Sequence, residues 1–247
     1  MPRTPPARQR LFHAPTGPVA SLAGVTALIP RPRSEPAPGV VHLPGWLDTA
    51  AQRHLVLACR DWARPPAGMR HTRLPGGGVM SVRTVCLGWH WEPYRYLRHI
   101  DGVPVRPLPT WLAELGRRAL TDAYDHPDTT CDARPRRYDP DVALVNFYDA
   151  TARMGLHQDR EERSTAPVVS LSLGDTAVFR LGNTDHRGRP WRDLELESGD
   201  LLVFGGPSRM AFHGVPRILP GTGPTDIDLR SGRLNITLRE SGLAAPP

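Results

Sequence analysis

Lysine is absent from the 247 residues, so all 31 fixed side-chain cations are arginines. They face 25 acidic residues, leaving a net charge of +6. A bias toward GC-rich codons would produce such a composition, but it has a physical consequence. A guanidinium is a planar fork that grips carboxylates and phosphates through two bonds, and a basic surface admits polyanions as partners. Cysteine is scarce: Cys59, Cys86 and Cys131 are odd in number, far apart and free of Cys-x-x-Cys spacing. A disulfide framework and a thiolate zinc site are thereby excluded, and the expected compartment is the reducing cytosol. Long apolar runs are also missing, and the opening MPRTPPARQRLF lacks the apolar segment of a secretion signal, so neither a membrane span nor export is expected. The 39% of hydrophobic residues is low, yet over this length it suffices for a core.

What is present divides the chain. Residues 1–38 are broken by prolines such as Pro2, Pro5, Pro6, Pro30, Pro32 and Pro36, and read as a disordered arm. Residues 39–140 hold two amphipathic helices. The first runs from Asp48, a good N-cap, to Ala63, with Leu55, Ala58, Cys59 and Trp62 on one face. The second runs from Thr110 to about Ala123, with Gly116 as its weak point. Residues 141–242 switch to short alternating runs cut by Gly, Pro, Asn and Asp: VALVNFY, PVVSLSLG, AVFRLG, LLVFGG and LNITLRE. Many short strands without intervening helices predict a sandwich, jelly roll or barrel. Residues 243–247 read as a fraying tail.

On or near a strand, His-x-Asp sets an imidazole and a carboxylate on the same side, and one distant histidine completes a facial triad for non-haem Fe(II). With 10 histidines in the chain the spacing recurs by chance, at His99/Asp101, His126/Asp128 and His157/Asp159. The first pair lies in a Gly/Pro loop and the second beyond a helix end, whereas His157/Asp159 sits inside the β-rich half. His213, after LLVFGG, is the best third ligand, with His186 as its rival. In RLNITLRE, alternation places Arg233, Asn235, Thr237 and Arg239 on one face. That row is either a solvated edge or a cradle for a dicarboxylate, to which Asn146 and Tyr148 would add neutral donors.

The stretches NFYDATARMGLHQDREE, PVVSLSLG, FGGPSRMAFHGV and RLNITLRESG, in this order, resemble the AlkB family of Fe(II)- and 2-oxoglutarate-dependent nucleic-acid dealkylases. The resemblance is close over residues 141–242 and looser back to LPGGGVMSVRTVCLGW. It implies an α+β protein with a double-stranded β-helix (jelly-roll) core, flanking helices and an N-terminal nucleotide-recognition lid. It implies Fe(II) on His157, Asp159 and His213, 2-oxoglutarate on Asn146, Tyr148, Arg233, Asn235 and Arg239, and O2 as oxidant. Arg233 and Arg239 are expected to carry most of the carboxylate binding. Trp89 falls at the base-stacking position, with His157 expected on the base's other side. Tyr94 or Tyr96 falls where family tyrosines contact substrate, and Glu161 at an acidic position suited to a cationic methylated base, while Glu162 reads equally well as a solvated turn charge. The implied activity is oxidative demethylation of 1-methyladenine and 3-methylcytosine in single- or double-stranded DNA, with RNA left open, by a cytoplasmic monomer. Two other readings stand beside it: a hydroxylase of a protein or small molecule on the same scaffold, and a non-catalytic basic nucleic-acid-binding module.

Overall fold

A computed structural model describes residues 30–243; the expectations for residues 1–29 and for the tail from 244 onward lie outside the described residues. Strands β1 (Ser34–Ala37) and β2 (Val40–Leu43) form an antiparallel hairpin. The proline-rich arm therefore does not extend to residue 38. Pro36 is accommodated because β1 is an edge strand, where a missing N–H removes no ladder bond. Helix α1 (Thr49–Trp62) begins where Asp48 predicts it, the carboxylate accepting a bond from the Ala51 amide at 2.7 Å. Strands β3 (Arg70–Arg73) and β4 (Val79–Leu87) follow, then the small hairpins β5 (His90–Glu92) with β6 (Arg95–Leu97) and β7 (His99–Ile100) with β8 (Val103–Pro104). Helix α2 spans Thr110–Tyr124.

The remaining strands are β9 (Val142–Tyr148), β10 (Met154–His157), β11 (Val168–Gly174), β12 (Thr176–Leu181), β13 (Arg192–Leu196), β14 (Leu201–Phe204), β15 (His213–Leu219) and β16 (Arg233–Arg239). An eight-stranded sheet has the order β1-β2-β14-β11-β16-β9-β4-β3, and a four-stranded sheet the order β10-β15-β12-β13. Val40, Tyr148, Leu202 and Phe204 of the larger sheet share one buried cluster with Ala177, Phe179, Leu181, Val215 and Ile218 of the smaller. The two sheets thus enclose a core, as a jelly roll requires. Residue 141 is not the start of that core: β2, β3 and β4 belong to the larger sheet. Their pairing was not legible locally because partners are remote, as with Thr84 on β4 and Asn146 on β9, 62 residues apart.

β16 lies inside the larger sheet, between β11 and β9, and is no solvated edge. Its Leu234, Ile236 and Leu238 pack outward with Leu55 and Val56 of α1 and Leu112 and Leu120 of α2. Each such buried side chain contributes roughly 1.5–3 kcal/mol, enough to hold both helices on the sheet. Gly116 marks the closest approach of α2, since a Cβ there would lie 2.8 Å from Leu238 Cδ1. The alternate residues Arg233, Asn235, Thr237 and Arg239 turn inward, toward the space between the sheets.

Candidate active site

His157 at the end of β10 and His213 at the start of β15 are direct antiparallel partners, their ring centroids 4.4 Å apart. Each ring is oriented by its own backbone: Nδ1 of His157 lies 3.0 Å from the Gly155 carbonyl oxygen, and Nδ1 of His213 lies 3.0 Å from that of Ala211. An Nδ1–H donating to a carbonyl leaves Nε2 as a bare lone pair. Both Nε2 atoms face Asp159, at 3.7 Å from Oδ1 and Oδ2 respectively. Among the described residues these three form the one group of metal-ligating side chains that converges this way, with ligand atoms within 4.8 Å of one another.

Electrostatics match the geometry. Burial pushes the His213 pKa down to about 4, with His157 adding to the effect, so the ring is neutral at pH 7. Burial alone would raise Asp159, but Arg239, then His213 and His157, outweigh it and hold the carboxyl well below its ordinary range. Arg239 Nη2 lies 2.8 Å from Asp159 Oδ2. The contact is an ion pair without hydrogen-bond alignment, and Oδ2 is left buried with no hydrogen-bond donor. A buried carboxylate oxygen in that condition fits a metal cation.

The inward row of β16 continues the site. Arg233, 2% exposed, donates from Nη2 to Ser172 Oγ at 2.8 Å and from Nη1 to the Leu196 carbonyl at 3.0 Å, while its Nε has no acceptor. Burial lowers its pKa to about 10, still protonated at neutral pH. Its β9 partner is Tyr148, and that of Asn235 is Asn146, which accepts from Thr84 Oγ1 at 2.8 Å. Asn235 donates to Ser170 Oγ at 2.8 Å. A buried cation with an orphaned donor, ringed by neutral polar groups, fits a carboxylate-bearing ligand.

Arg239 is placed differently from Arg233. Besides Asp159, it donates from Nη1 to Glu162 Oε1 at 2.8 Å and to the Tyr96 hydroxyl at 3.3 Å. Its guanidinium lies against the carboxylates beside the triad, whereas that of Arg233 lies among neutral groups. Glu162 is no solvated turn charge: its side chain is fully buried, and Oε2 also accepts from Arg209 Nη2 at 3.2 Å. Burial raises the Glu162 pKa, but Arg239 together with the hydrogen bonds from Tyr96 and Arg239 outweighs it and leaves the carboxyl below its ordinary value. Arg209, absent from the sequence reading, further donates to the backbone carbonyls of Asp159 at 3.2 Å and Ala166 at 2.8 Å.

Of the two tyrosines, Tyr96 reaches the site, donating its hydroxyl to Glu162. Tyr94 stands 79% exposed in the β5–β6 turn at a φ of +74°. Trp89, Trp91 and Tyr96 pack over Cys86, Val142 and Leu144, and Val142 pairs with Arg239. Trp89 Nε1 donates to Asp141 Oδ2 at 3.1 Å, and the Arg98 guanidinium lies 3.4 Å from the ring centroid. Gly88 makes that position possible: its φ is +77°, and a Cβ would come within 1.9 Å of the Asp141 carbonyl oxygen. Glu161 is half-buried and accepts from the Arg160 amide at 3.2 Å. The rival pairs lie elsewhere: Asp101 pairs with Arg70, His126 and Asp128 are exposed, and His186 sits in an exposed turn.

Comparison with known proteins agrees with this geometry. The family model described as the 2OG-Fe(II) oxygenase superfamily matches residues 39–239, a span that includes β2 to β4. The chain is 43% identical to the alpha-ketoglutarate-dependent dioxygenase AlkB homolog of Caulobacter vibrioides, over 84% of this chain and 90% of that protein. It is 37% identical to AlkB of Escherichia coli, over 85% and 94%. It is also 37% identical to the DNA N(6)-methyladenine demethylase ALKBH1D of Arabidopsis thaliana, over 82% of this chain but only 49% of that longer protein. The solved structure of OsALKBH1 superposes with a TM-score of 0.77 at 34% identity, covering 85% of this chain and all of the other. A jelly roll with a His-Asp-His cluster beside a buried arginine, relatives of this identity and a family match over most of its length place the chain in the AlkB family of Fe(II)- and 2-oxoglutarate-dependent dioxygenases.

Proposed function

We propose that the protein oxidatively demethylates alkylated bases, 1-methyladenine and 3-methylcytosine, in DNA. The single observation behind this reading is the inner face of the jelly roll, where a convergent His-Asp-His cluster adjoins a buried arginine with a free donor. Its family's named members supply the substrate class: the Arabidopsis relative is called a DNA N(6)-methyladenine demethylase. Bound Fe(II), with 2-oxoglutarate and dioxygen, supplies oxidation of the N-methyl group, which leaves as formaldehyde while 2-oxoglutarate becomes succinate and CO2.

The protein's part is binding, orientation and exclusion of water. In this reading His157, Asp159 and His213 hold the iron. Arg233 takes a carboxylate of 2-oxoglutarate, with Tyr148, Asn146 and Asn235 as neutral partners. Arg239 and Glu162 fix Asp159 and tie it to Tyr96, so the hairpin that carries Tyr96 is coupled to the metal side of the cavity. Trp89, Tyr96 and Glu161 frame the base, and an extruded base costs least when methylation has already blocked its pairing edge. A neutral base such as N6-methyladenine is a second reading, favoured by Arg98: a cation already rests on the Trp89 face and disfavours a second positive ring nearby. We take the enzyme to act as a cytoplasmic monomer.

Purified protein is incubated with Fe(II), 2-oxoglutarate, ascorbate and air, together with oligonucleotides carrying 1-methyladenine, 3-methylcytosine or N6-methyladenine. Methyl loss read by mass spectrometry, abolished in Asp159→Ala, supports the proposal, and the rank order of bases decides between its two forms. Succinate release with every methyl group retained overturns it in favour of a protein or small-molecule hydroxylase.

A further inference from the structure

Beyond the base and the metal, a second charged surface lies between α2 and the chain that leads into β9. We propose that the arginine cleft between α2 and residues 134–139, continued by Arg163, binds the phosphodiester backbone of a single-stranded nucleic acid beside the target base. The inference deepens the demethylase reading and rests on it.

The cleft has a volume of about 410 Å³, and its walls include Arg117, Arg134, Arg136, Arg137, Tyr138 and Asp139, four guanidiniums to one carboxylate. Two of the four are held in place. Arg117 donates to Asp139 Oδ1 at 2.6 Å and to the Tyr138 carbonyl at 3.2 Å, and Arg134 forks onto the Asp132 carboxylate at 2.8–3.1 Å. Arg137 pairs with Asp139 at 3.1 Å while 84% exposed. Such pairs in water are worth little and exchange readily for a phosphate, which a guanidinium grips equally well. Arg136 is exposed and has no acceptor among the described residues. The cleft's floor is anchored to the core: the buried Tyr138 hydroxyl donates to the Leu238 carbonyl at 3.2 Å, and the Asp139 amide donates to Glu240 Oε2 at 2.8 Å.

The chain that floors the cleft runs on to the residue that holds Trp89. Asp139 lies two residues, about 7 Å of extended chain, from Asp141, which accepts from Trp89 Nε1. Glu240 follows Arg239 directly, and its oxygens are taken by the Asp139 amide and by Ser164 Oγ. Next to Ser164 stands Arg163, whose amide donates to the Ser241 carbonyl at 2.7 Å while its exposed side chain has no acceptor among the described residues. Hydrogen bonds through Glu240 thus connect the segment that carries Arg136 with the one that carries Arg163, and the latter follows the triad loop of Asp159 directly in the chain. The one aromatic named in the cleft, Tyr138, is buried, so no base can stack there and the contacts are to phosphates, independent of sequence.

The test compares wild-type protein with Arg136→Ala/Arg163→Ala. Neither side chain has a partner whose loss would disturb the fold, and an unchanged thermal midpoint checks this. Fluorescence anisotropy follows binding of an unmodified single-stranded 15-mer, and of a trinucleotide, from 50 to 200 mM KCl. Two lost phosphate contacts should lower the slope of log K against log salt by about 1.4 and weaken the 15-mer roughly three- to tenfold. The trinucleotide, too short to reach, should show the same Kd with both proteins, and Arg136→Lys/Arg163→Lys should restore 15-mer binding. An unchanged 15-mer slope, or a lysine variant as weak as the alanine variant, overturns the proposal. Methyl release from a 1-methyladenine 15-mer by the wild-type enzyme is scored separately. Its absence would sink the demethylase reading, whereas its presence with an unchanged salt slope would sink the cleft alone.

Discussion

Asp159 keeps its charge where burial opposes it, because Arg239, His157 and His213 surround it. Its Oδ1 lies toward His157 and its Oδ2 toward His213 and Arg239. Asp159→Ala should abolish turnover and weaken Mn(II) binding by at least about 100-fold, measured calorimetrically, as loss of one of three protein ligands demands. Arg233→Gln acts at the other end of the inner row. Removing one charge-assisted bond of about 1.5–3 kcal/mol should raise the KM for 2-oxoglutarate about 10- to 100-fold while Mn(II) affinity stays unchanged. These residues were legible singly, since alternation in RLNITLRE puts Arg233 and Arg239 on one face. Their different partners were not. Arg239 turns to Glu162, 77 positions away in the chain, and only tertiary contact tells a buried ion pair from a charge on a solvated turn.

At the level of the element, Asp48 and Gly116 show how far local rules reach. Asp48 caps α1 through the Ala51 amide, and Asp48→Ala should cost about 1 kcal/mol in urea-unfolding stability with no effect on activity. At Gly116, helix propensity alone predicts that alanine would stabilise α2 by about 1 kcal/mol. The added Cβ would meet Leu238 Cδ1 at 2.8 Å, and overpacking of this kind typically costs about 1–3 kcal/mol. Gly116→Ala should therefore be neutral to destabilising in the same measurement, a stabilised variant being the result that contradicts the packing. The capping rule was readable because its donor lies three residues away; the glycine's reason was not, because its neighbour lies on another strand.

For the molecule as a whole, the buried thiols tie stability to alkaline pH. Burial pushes Cys59 up to about 12 and Cys86 up to about 11. A thiol with a raised folded pKa favours the protonated, folded state, so its contribution is full below the unfolded value of about 8.5 and is lost as pH rises toward the folded value. The urea midpoint should fall between pH 8.5 and 11, and fall less steeply in Cys59→Ala. If the slopes match, the burial of Cys59 is not what sets the alkaline limit. The periodicity of the strands, both helices, the His157-x-Asp159 spacing and the inward row of β16 were determined by the sequence itself, because period-2 and period-3.6 patterns are local properties of the backbone. The place of β2 to β4 in the main sheet, the buried pairing of Glu162 with Arg239 and Arg209, and the contact of Tyr96 with Glu162 were decided only by the tertiary structure. Each depends on desolvation and hydrogen bonding between residues tens of positions apart, and those acquire an energy only when the chain has folded.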